Sequence, residues 1–240
     1  MRIVAGIIEY GDAEGLQRCL QSLDINKGGF NSAIVIHRKF DHFELDDPQS
    51  LNDTQRVVDK FPNVLLDHSE ERITQIEARN LYMEMAGNLN YDWLMVIDSD
   101  EFVLHGTDWK EFRRQLEYIQ SLNLGEQVFE LEFFGSISDS GMRPRLFLDP
   151  GTVRYWVKHY WFLLTKKMLL LKGVSDSGLV LQAIKLRHGK IVRTMEHIEA
   201  SEKYYKWQEQ IEVVKDEQRL EIKPYRVQKT QFNMDKWEET

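Results

Sequence analysis

Asp98, Asp100 and Glu101 bring three carboxylates together directly after the apolar run Trp93-Leu94-Met95-Val96-Ile97. Two carboxylates one residue apart repel each other unless a cation lies between them. Hard divalent ions such as Mn²⁺ or Mg²⁺ are held by one or two carboxylates together with the phosphate oxygens of a substrate. The spacing therefore predicts a metal-diphosphate site. The competing reading is an acidic turn that caps a core strand; the abrupt step from apolar run to triple acid favours the metal.

The elements that must position these acids follow from the apolar pattern. Trp93 to Ile97 is too short for a typical helix and has the composition of a strand buried on both faces, which places it mid-sheet. Ile3 to Ile8 reads as an opening strand, followed by the turn Glu9-Tyr10-Gly11-Asp12 and a helix with Leu16, Cys19, Leu20 and Leu23 on one face. Ala33 to Ile36 is a second strand, with His37-Arg38-Lys39 at its carboxyl end, and Val64-Leu65-Leu66 a third, ending at Asp67-His68. Helical patterns over Leu51 to Phe61 and Arg72 to Ala86 separate them. Strands alternating with helices predict right-handed crossovers and a mainly parallel sheet flanked by helices. Ligands bind at the carboxyl ends of such strands, so the end of the opening strand shares a rim with Asp98 and Asp100.

Beyond the acids, Asp108-Trp109-Lys110-Glu111 fits a capping box that starts a helix carrying Trp109, Phe112, Leu116 and Ile119. The pattern then turns to strands: Val128 to Phe134, Val153 to Val157, Tyr160 to Leu164, Met168 to Leu171 and Lys190 to Met195. This β-rich second half is expected to shape an acceptor pocket. A last helix is expected from about Ala200 to Glu217, with Tyr204, Trp207, Ile211 and Val214 as its stripe.

A chain of 240 residues suits a single α/β domain. Its net charge of -8 argues against broad nucleic-acid binding. Cys19, the sole cysteine, cannot form an internal disulfide and packs on a helix face. Apolar runs fall short of a membrane span and the first strand meets Glu9 too early for a signal peptide, so the expectation is a cytoplasmic protein without a transmembrane segment.

The opening strand, the helix with Glu77-Ala78-Arg79-Asn80, and the stretch Trp93 to Glu101 together resemble the GT-A fold glycosyltransferases, in particular family-2-like members. Pro144-Arg145-Leu146-Phe147, then Pro150 to Tyr155 and His159, are similar to a later segment of that group. The resemblance implies a GT-A, Rossmann-like catalytic domain: residues 1–105 as the nucleotide-sugar half, 106–200 as the acceptor side, 200–240 as a C-terminal helix and tail. It implies metal-dependent transfer of a sugar from a nucleotide-diphosphate sugar to a hydroxyl acceptor, such as a glycan, a lipid-linked sugar or a small molecule, with inversion; retention stays open. Asp100 would contact the metal directly and Asp98 would serve the metal or the ribose. His197 is the candidate third ligand and His159, set among Tyr155, Trp156, Tyr160 and Trp161, its rival. Glu9, Asp41, Arg79, Asp98 and Ser99 are candidate nucleotide-sugar contacts. The acceptor's proton needs a base, for which Asp139 and Asp176 are candidates.

The chain departs from the group where many members have an acidic, Gly/Ser-rich turn after the second strand: here stands His37-Arg38-Lys39-Phe40-Asp41. Two other classes stay open. A nucleotidyltransferase would also use carboxylates and Mg²⁺, but with a Gly-rich basic loop after the first strand, which Glu9-Tyr10-Gly11-Asp12 is not. A non-catalytic carbohydrate-binding or scaffold protein could keep the same fold.

Overall fold

The computed structural model describes residues 1–25, 27–41, 43, 47–123, 128–134, 141–155, 161–164, 169–172, 180–188, 199–200, 203–204 and 206–207. The opening half alternates as its apolar pattern predicts: β1 (Ile3–Glu9), α1 (Ala13–Ser22), β2 (Ser32–His37), α2 (Ser50–Val58), β3 (Val64–His68), α3 (Gln75–Asn88) and β4 (Trp93–Val96). There follow β5 (Glu101–Val103), α4 (Trp109–Leu122), β6 (Val128–Phe134), β7 (Gly141–Leu148), a 3₁₀ turn (Pro150–Thr152), β8 (Val153–Tyr155), β9 (Trp161–Leu164), β10 (Leu169–Lys172) and β11 (Val180–His188).

One sheet of eight strands runs β3-β2-β1-β4-β7-β6-β11-β5, and a second, of three, runs β10-β9-β8. β3, β2, β1 and β4 pair in parallel, so their carboxyl ends form one rim. β7 runs antiparallel to both β4 and β6, while β11 is parallel to β6 and antiparallel to β5. Strands of the second half therefore continue the sheet of the first half.

Alternation along the central strands feeds two cores. On one face Ile3, Ala5 and Ile7 of β1 and Trp93 and Met95 of β4 pack with Leu16, Cys19 and Leu20 of α1, Val57 and Val58 of α2, and Phe112, Leu116 and Ile119 of α4. On the other, Val4, Ile8, Leu94 and Val96 meet Ala78, Tyr82, Met83 and Ala86 of α3. Residues of β4 are wholly buried whichever face they take, as expected for a mid-sheet strand. Near 25 cal/mol per Å² of apolar surface, this two-sided burial is the main stabilising term.

Helix starts are chemically explicit. Thr74 and Glu77 make a complete capping box on α3, with the Glu77 amide donating to Thr74 Oγ1 at 3.2 Å and the Thr74 amide donating to Glu77 Oε2 at 2.7 Å. On α4 only half of the box expected at Asp108 forms. Asp108 Oδ1 accepts the Glu111 amide at 3.0 Å, but the Glu111 carboxylate turns to Arg114, at 2.7 and 2.8 Å, because a charged partner is the stronger donor.

Three elements depart from the sequence reading. β5 is too short to show a period. β7 runs through Pro144, which has no N–H to give a ladder; the β6–β7 register shifts between Phe129 and Glu130, the partner of Pro144, where such a residue is tolerated. β11 covers a stretch not assigned as a strand, and His188 ends it as the backbone partner of Glu101. The expected strand at Lys190 to Met195 lies outside the described residues, as does the last helix beyond Trp207. Of that helix Tyr204 is buried: its hydroxyl accepts the Gln75 amide at 3.2 Å and its ring packs 6.0 Å from Phe40 and 6.3 Å from Phe43. No helix among the described residues is long and apolar enough to cross a membrane.

Candidate active site

β4 ends at Val96 and the chain turns at once, so Asp98, Ser99 and Asp100 stand at the carboxyl rim. The Ile97 amide still donates to Gly6 O of β1, at 3.1 Å, which ties the turn to the adjacent strand. The turn is closed reciprocally: Glu101 N donates to Asp98 O at 2.9 Å, and Asp98 N donates to Glu101 Oε2 at 2.8 Å. Ser99 is half-buried and Asp100 is buried.

Two guanidinium groups bracket the Asp98 carboxylate. Arg79 Nη2 donates to Oδ1 at 2.9 Å and Arg145 Nη1 to Oδ2 at 3.4 Å. Arg145 Nη2 also donates to Glu101 Oε1 at 2.6 Å. Burial works against the charge of both arginines, but Asp98 overcomes it at Arg79, and Glu101 with Asp98 overcomes it at Arg145, so both guanidinium pKa values rise and both groups stay cationic. Burial pushes the Glu101 carboxyl up against the pull of Arg145.

The Glu77-Ala78-Arg79-Asn80 segment that carries part of the sequence resemblance divides its work by helical position. Glu77 completes the cap, Ala78 packs in the core, Arg79 reaches Asp98, and Asn80 clamps β8. Asn80 Nδ2 donates to Tyr155 O at 3.0 Å, and Tyr155 N donates to Asn80 Oδ1 at 2.7 Å. The Tyr155 ring then lies 5.5 Å from the Arg79 guanidinium, and Arg79 Nη1 donates to the Tyr82 hydroxyl at 3.3 Å. Tyr82 reaches this position by lying flat on β1 at Gly6, where a Cβ would meet its ring at 2.8 Å. Gly6 thus admits the ring that supports Arg79.

At the neighbouring end of the rim the acid is held by neutral groups. Glu9, expected as a nucleotide contact, is buried, with its oxygens taken by the Asp12 amide and the Thr54 hydroxyl. It joins β1 to the start of α1 and to α2. Burial raises its pKa to about 7. His37 Nε2 lies 3.8 Å from Glu9 and 2.9 Å from the Ser50 hydroxyl, which also accepts the Gly11 amide at 2.8 Å. Burial, with His68 next, lowers the His37 pKa. Asp41 is half-buried and its amide donates to Ile73 O at 3.0 Å. In the His37-Arg38-Lys39 segment, Arg38 forms a close ion pair with Asp67 at the end of β3.

The structure thus brings Arg79, Asp98, Ser99 and Asp100 to one turn, with Glu9 and Asp41 on the β1–β2 side. His159, His197, Asp139 and Asp176 lie outside the described residues. Glu101 was expected as one of three crowded carboxylates; its pairing with Arg145, and the part Arg145 plays at Asp98, are what residue-by-residue reading missed. The segment around Arg145 had been singled out, but its partner lies 44 residues away across the sheet.

Among the described residues no group of three or more His, Cys, Asp or Glu side chains is arranged to hold a metal ion. A closed protein cage is not what a hard divalent ion needs beside a diphosphate; one or two carboxylates suffice. Both Asp98 oxygens face guanidinium groups, and Asp100 is the buried acid two residues on in the same turn.

No protein-family model matches the chain, and no curated protein does. Solved structures do. S. aureus TarS 1-349 in complex with UDP-GlcNAc matches over 89% of this chain and 67% of its own, at 15% identity and a TM-score of 0.51. GalNAc-T7 with UDP, GalNAc and Mn²⁺ matches over 84% of this chain and 48% of its own, at 10% identity and a TM-score of 0.51. The fold is GT-A-like. Within a GT-A-like sheet, the Asp98–Asp100 turn occupies the carboxyl rim of the parallel strands, as the sequence reading expected. Against a longer TarS chain the match covers 57% of this chain and 22% of that one, at 16% identity and a TM-score of 0.39, so this chain spans about a fifth of that relative.

Proposed function

We propose that the protein is a glycosyltransferase that moves a sugar from a nucleoside-diphosphate sugar to a hydroxyl acceptor, with a divalent ion, Mn²⁺ or Mg²⁺, and with inversion. The observation that carries it is the acidic turn at the rim of a GT-A-like sheet, with Asp98 bracketed by the buried Arg79 and the partly buried Arg145 and with Asp100 beside it. Support comes also from the ligands of the similar structures: TarS 1-349 was solved with UDP-GlcNAc and GalNAc-T7 with UDP, GalNAc and Mn²⁺, which makes UDP the first donor nucleotide to try.

In this reading residues 1–105 bind the donor and 106–200 shape the acceptor side. Asp100 holds the ion together with the diphosphate oxygens, while Asp98, Ser99, Arg79 and the rim at Asp41 meet the nucleotide. When bound, the ion offsets negative charge on the departing diphosphate as a Lewis acid. Arg79 and Arg145 stay cationic beside the same turn and add fixed positive charge in a partly water-excluded place, where it counts for more than in solvent. The acceptor oxygen bonds to the anomeric carbon, the bond from that carbon to the phosphate oxygen breaks, and the hydroxyl proton passes to a carboxylate, with Asp139 and Asp176 the candidates and His197 or His159 a further ion ligand.

Thermal unfolding with UDP, GDP, ADP and CDP, each with and without Mn²⁺, tests this. A ligand that binds only the folded form raises the melting temperature by mass action. The expected outcome is metal-dependent stabilisation by one nucleotide, lost in Asp100→Ala. If no nucleotide stabilises the protein at millimolar concentration, the proposal fails and the carbohydrate-binding or scaffold reading replaces it.

A further inference from the structure

Glu101 looks in the sequence like a third acid of a metal cluster, but the geometry gives its carboxylate other work. It is 2% exposed, one oxygen accepts the Asp98 amide at 2.8 Å, and the other accepts Arg145 at 2.6 Å. Its own amide closes the turn on Asp98 O at 2.9 Å, and its backbone pairs with His188 of β11. Four elements therefore meet at this residue: the end of β4, β5, β7 through Arg145, and β11.

A carboxylate so engaged is a poor metal ligand, because ligation would unpair a buried amide and a buried guanidinium, each costly to leave without a partner. We propose that Glu101 is a positioning residue: it sets the Asp98–Asp100 turn through the Asp98 amide and aims Arg145 at Asp98, so that the acidic turn is formed before donor and metal arrive. This rests on the donor-binding reading above. Arg145 cannot aim itself. A guanidinium holds a fixed fork of donors, and with Glu101 on Nη2 the fork leaves Nη1 directed at Asp98 Oδ2. Preorganisation of this kind raises affinity by removing an ordering cost at the moment of binding.

Four variants test it: Glu101→Gln, which keeps an acceptor for the amide and drops the charge; Glu101→Ala, which drops both; Arg145→Met; and Glu101→Gln combined with Arg145→Met. The first readout needs no ligand. Hydrogen exchange at the Asp98 amide is expected to speed up about tenfold or more in Glu101→Ala, and to stay near the wild-type rate in Glu101→Gln, since one hydrogen bond separates them. The second is calorimetric affinity for UDP or GDP with Mn²⁺. Glu101→Gln is expected to weaken it about tenfold while melting within a few degrees of wild type. The double variant is expected to lose no more than the worse single, since both act through one pair. A merely structural role would lower the melting temperature in proportion and leave single effects multiplicative. Unchanged Asp98 exchange in Glu101→Ala overturns the proposal, as does wild-type nucleotide affinity in Glu101→Gln. If the wild-type protein binds none of the nucleotides, donor binding is what fails, and the exchange rates still decide whether Glu101 sets the turn.

Discussion

Glu9 and Glu101 are both buried acids at the carboxyl rim, and they differ in what holds them. Glu9 is met by a backbone amide and a hydroxyl, with a neutral imidazole nearby; Glu101 is met by a backbone amide and a guanidinium. Desolvation outweighs these partners at both acids and pushes each carboxyl up to about 7. The Asp98–Glu101 end carries two permanent cations besides, and Asp98 keeps its carboxylate 28% exposed between them. One end of the rim is thus a scaffold joint tying β1 to α1 and α2. The other sets two guanidinium groups around the Asp98 carboxylate. A buried acid with a raised pKa is common to both ends; two fixed cations around a partly exposed carboxylate belong to the Asp98 end.

The hardest blow to that contrast is Arg79→Met. It removes one cation from Asp98, takes one donor from the Tyr82 hydroxyl and empties the space over the Tyr155 ring. Breaking a fully buried pair costs about 3–5 kcal/mol, and the exposure of Asp98 moves the expectation to roughly 3–4 kcal/mol of stability, measured by urea unfolding. Nucleotide affinity should fall with it. A loss below about 1 kcal/mol would mean that Arg79 is worth no more than a surface ion pair, and the two ends of the rim would not differ as described.

The second test uses pH on the other end. The folded-state pKa of Glu9, about 7, lies above its ordinary 4.5, so the folded protein holds this proton more tightly than the unfolded chain. Stability from Glu9 is therefore present at low pH, is lost as pH rises from 4.5 to 7, and is flat above that. His37 has the opposite sign: its lowered pKa means that stability falls as pH drops below 6.5. Comparing Glu9→Gln with wild type isolates the first effect. The variant should match wild type near pH 5 and gain on it toward pH 8 by at most about 2–3 kcal/mol, following ~1.36 kcal/mol per pKa unit. A difference that does not change with pH would mean that the folded protein holds the Glu9 proton no more tightly than the unfolded chain does.

What could be read from the sequence divides along the same line as these two ends. β1 to β4 and the helices between them were legible because each is local, with a period that apolar residues spell out, and the rim followed from parallel pairing. The Asp98–Asp100 turn was legible because strand and acids adjoin. β11 was missed although Ile184 and Leu186 are buried two apart with Lys185 between them, a strand period broken by the register shift after Leu181. Glu9 stands at the end of a strand as Asp98 does, and nothing in the sequence says that Thr54, 45 residues later, takes its carboxylate. Partners brought together by sheet topology leave no local signature, and the burial that raises the Glu9 pKa comes from those partners.

The smallest expected effect separates the site from the helix that carries it. Thr74 caps α3 five residues before Arg79, and its hydroxyl accepts the Glu77 amide at 3.2 Å. Thr74→Ala removes that acceptor and should cost about 1 kcal/mol, a typical value for a lost N-cap, read as a small drop in melting temperature. Arg79 is held beyond the cap, by Asp98, Tyr82 and the Tyr155 ring, while Asn80 fastens the next residue to β8. Fraying of the first turn should stop before it reaches Arg79, so nucleotide affinity should stay within about twofold of wild type. An affinity loss larger than the stability loss would mean that α3 moves as one rigid unit and that the cap, rather than the network around Asp98, sets the guanidinium.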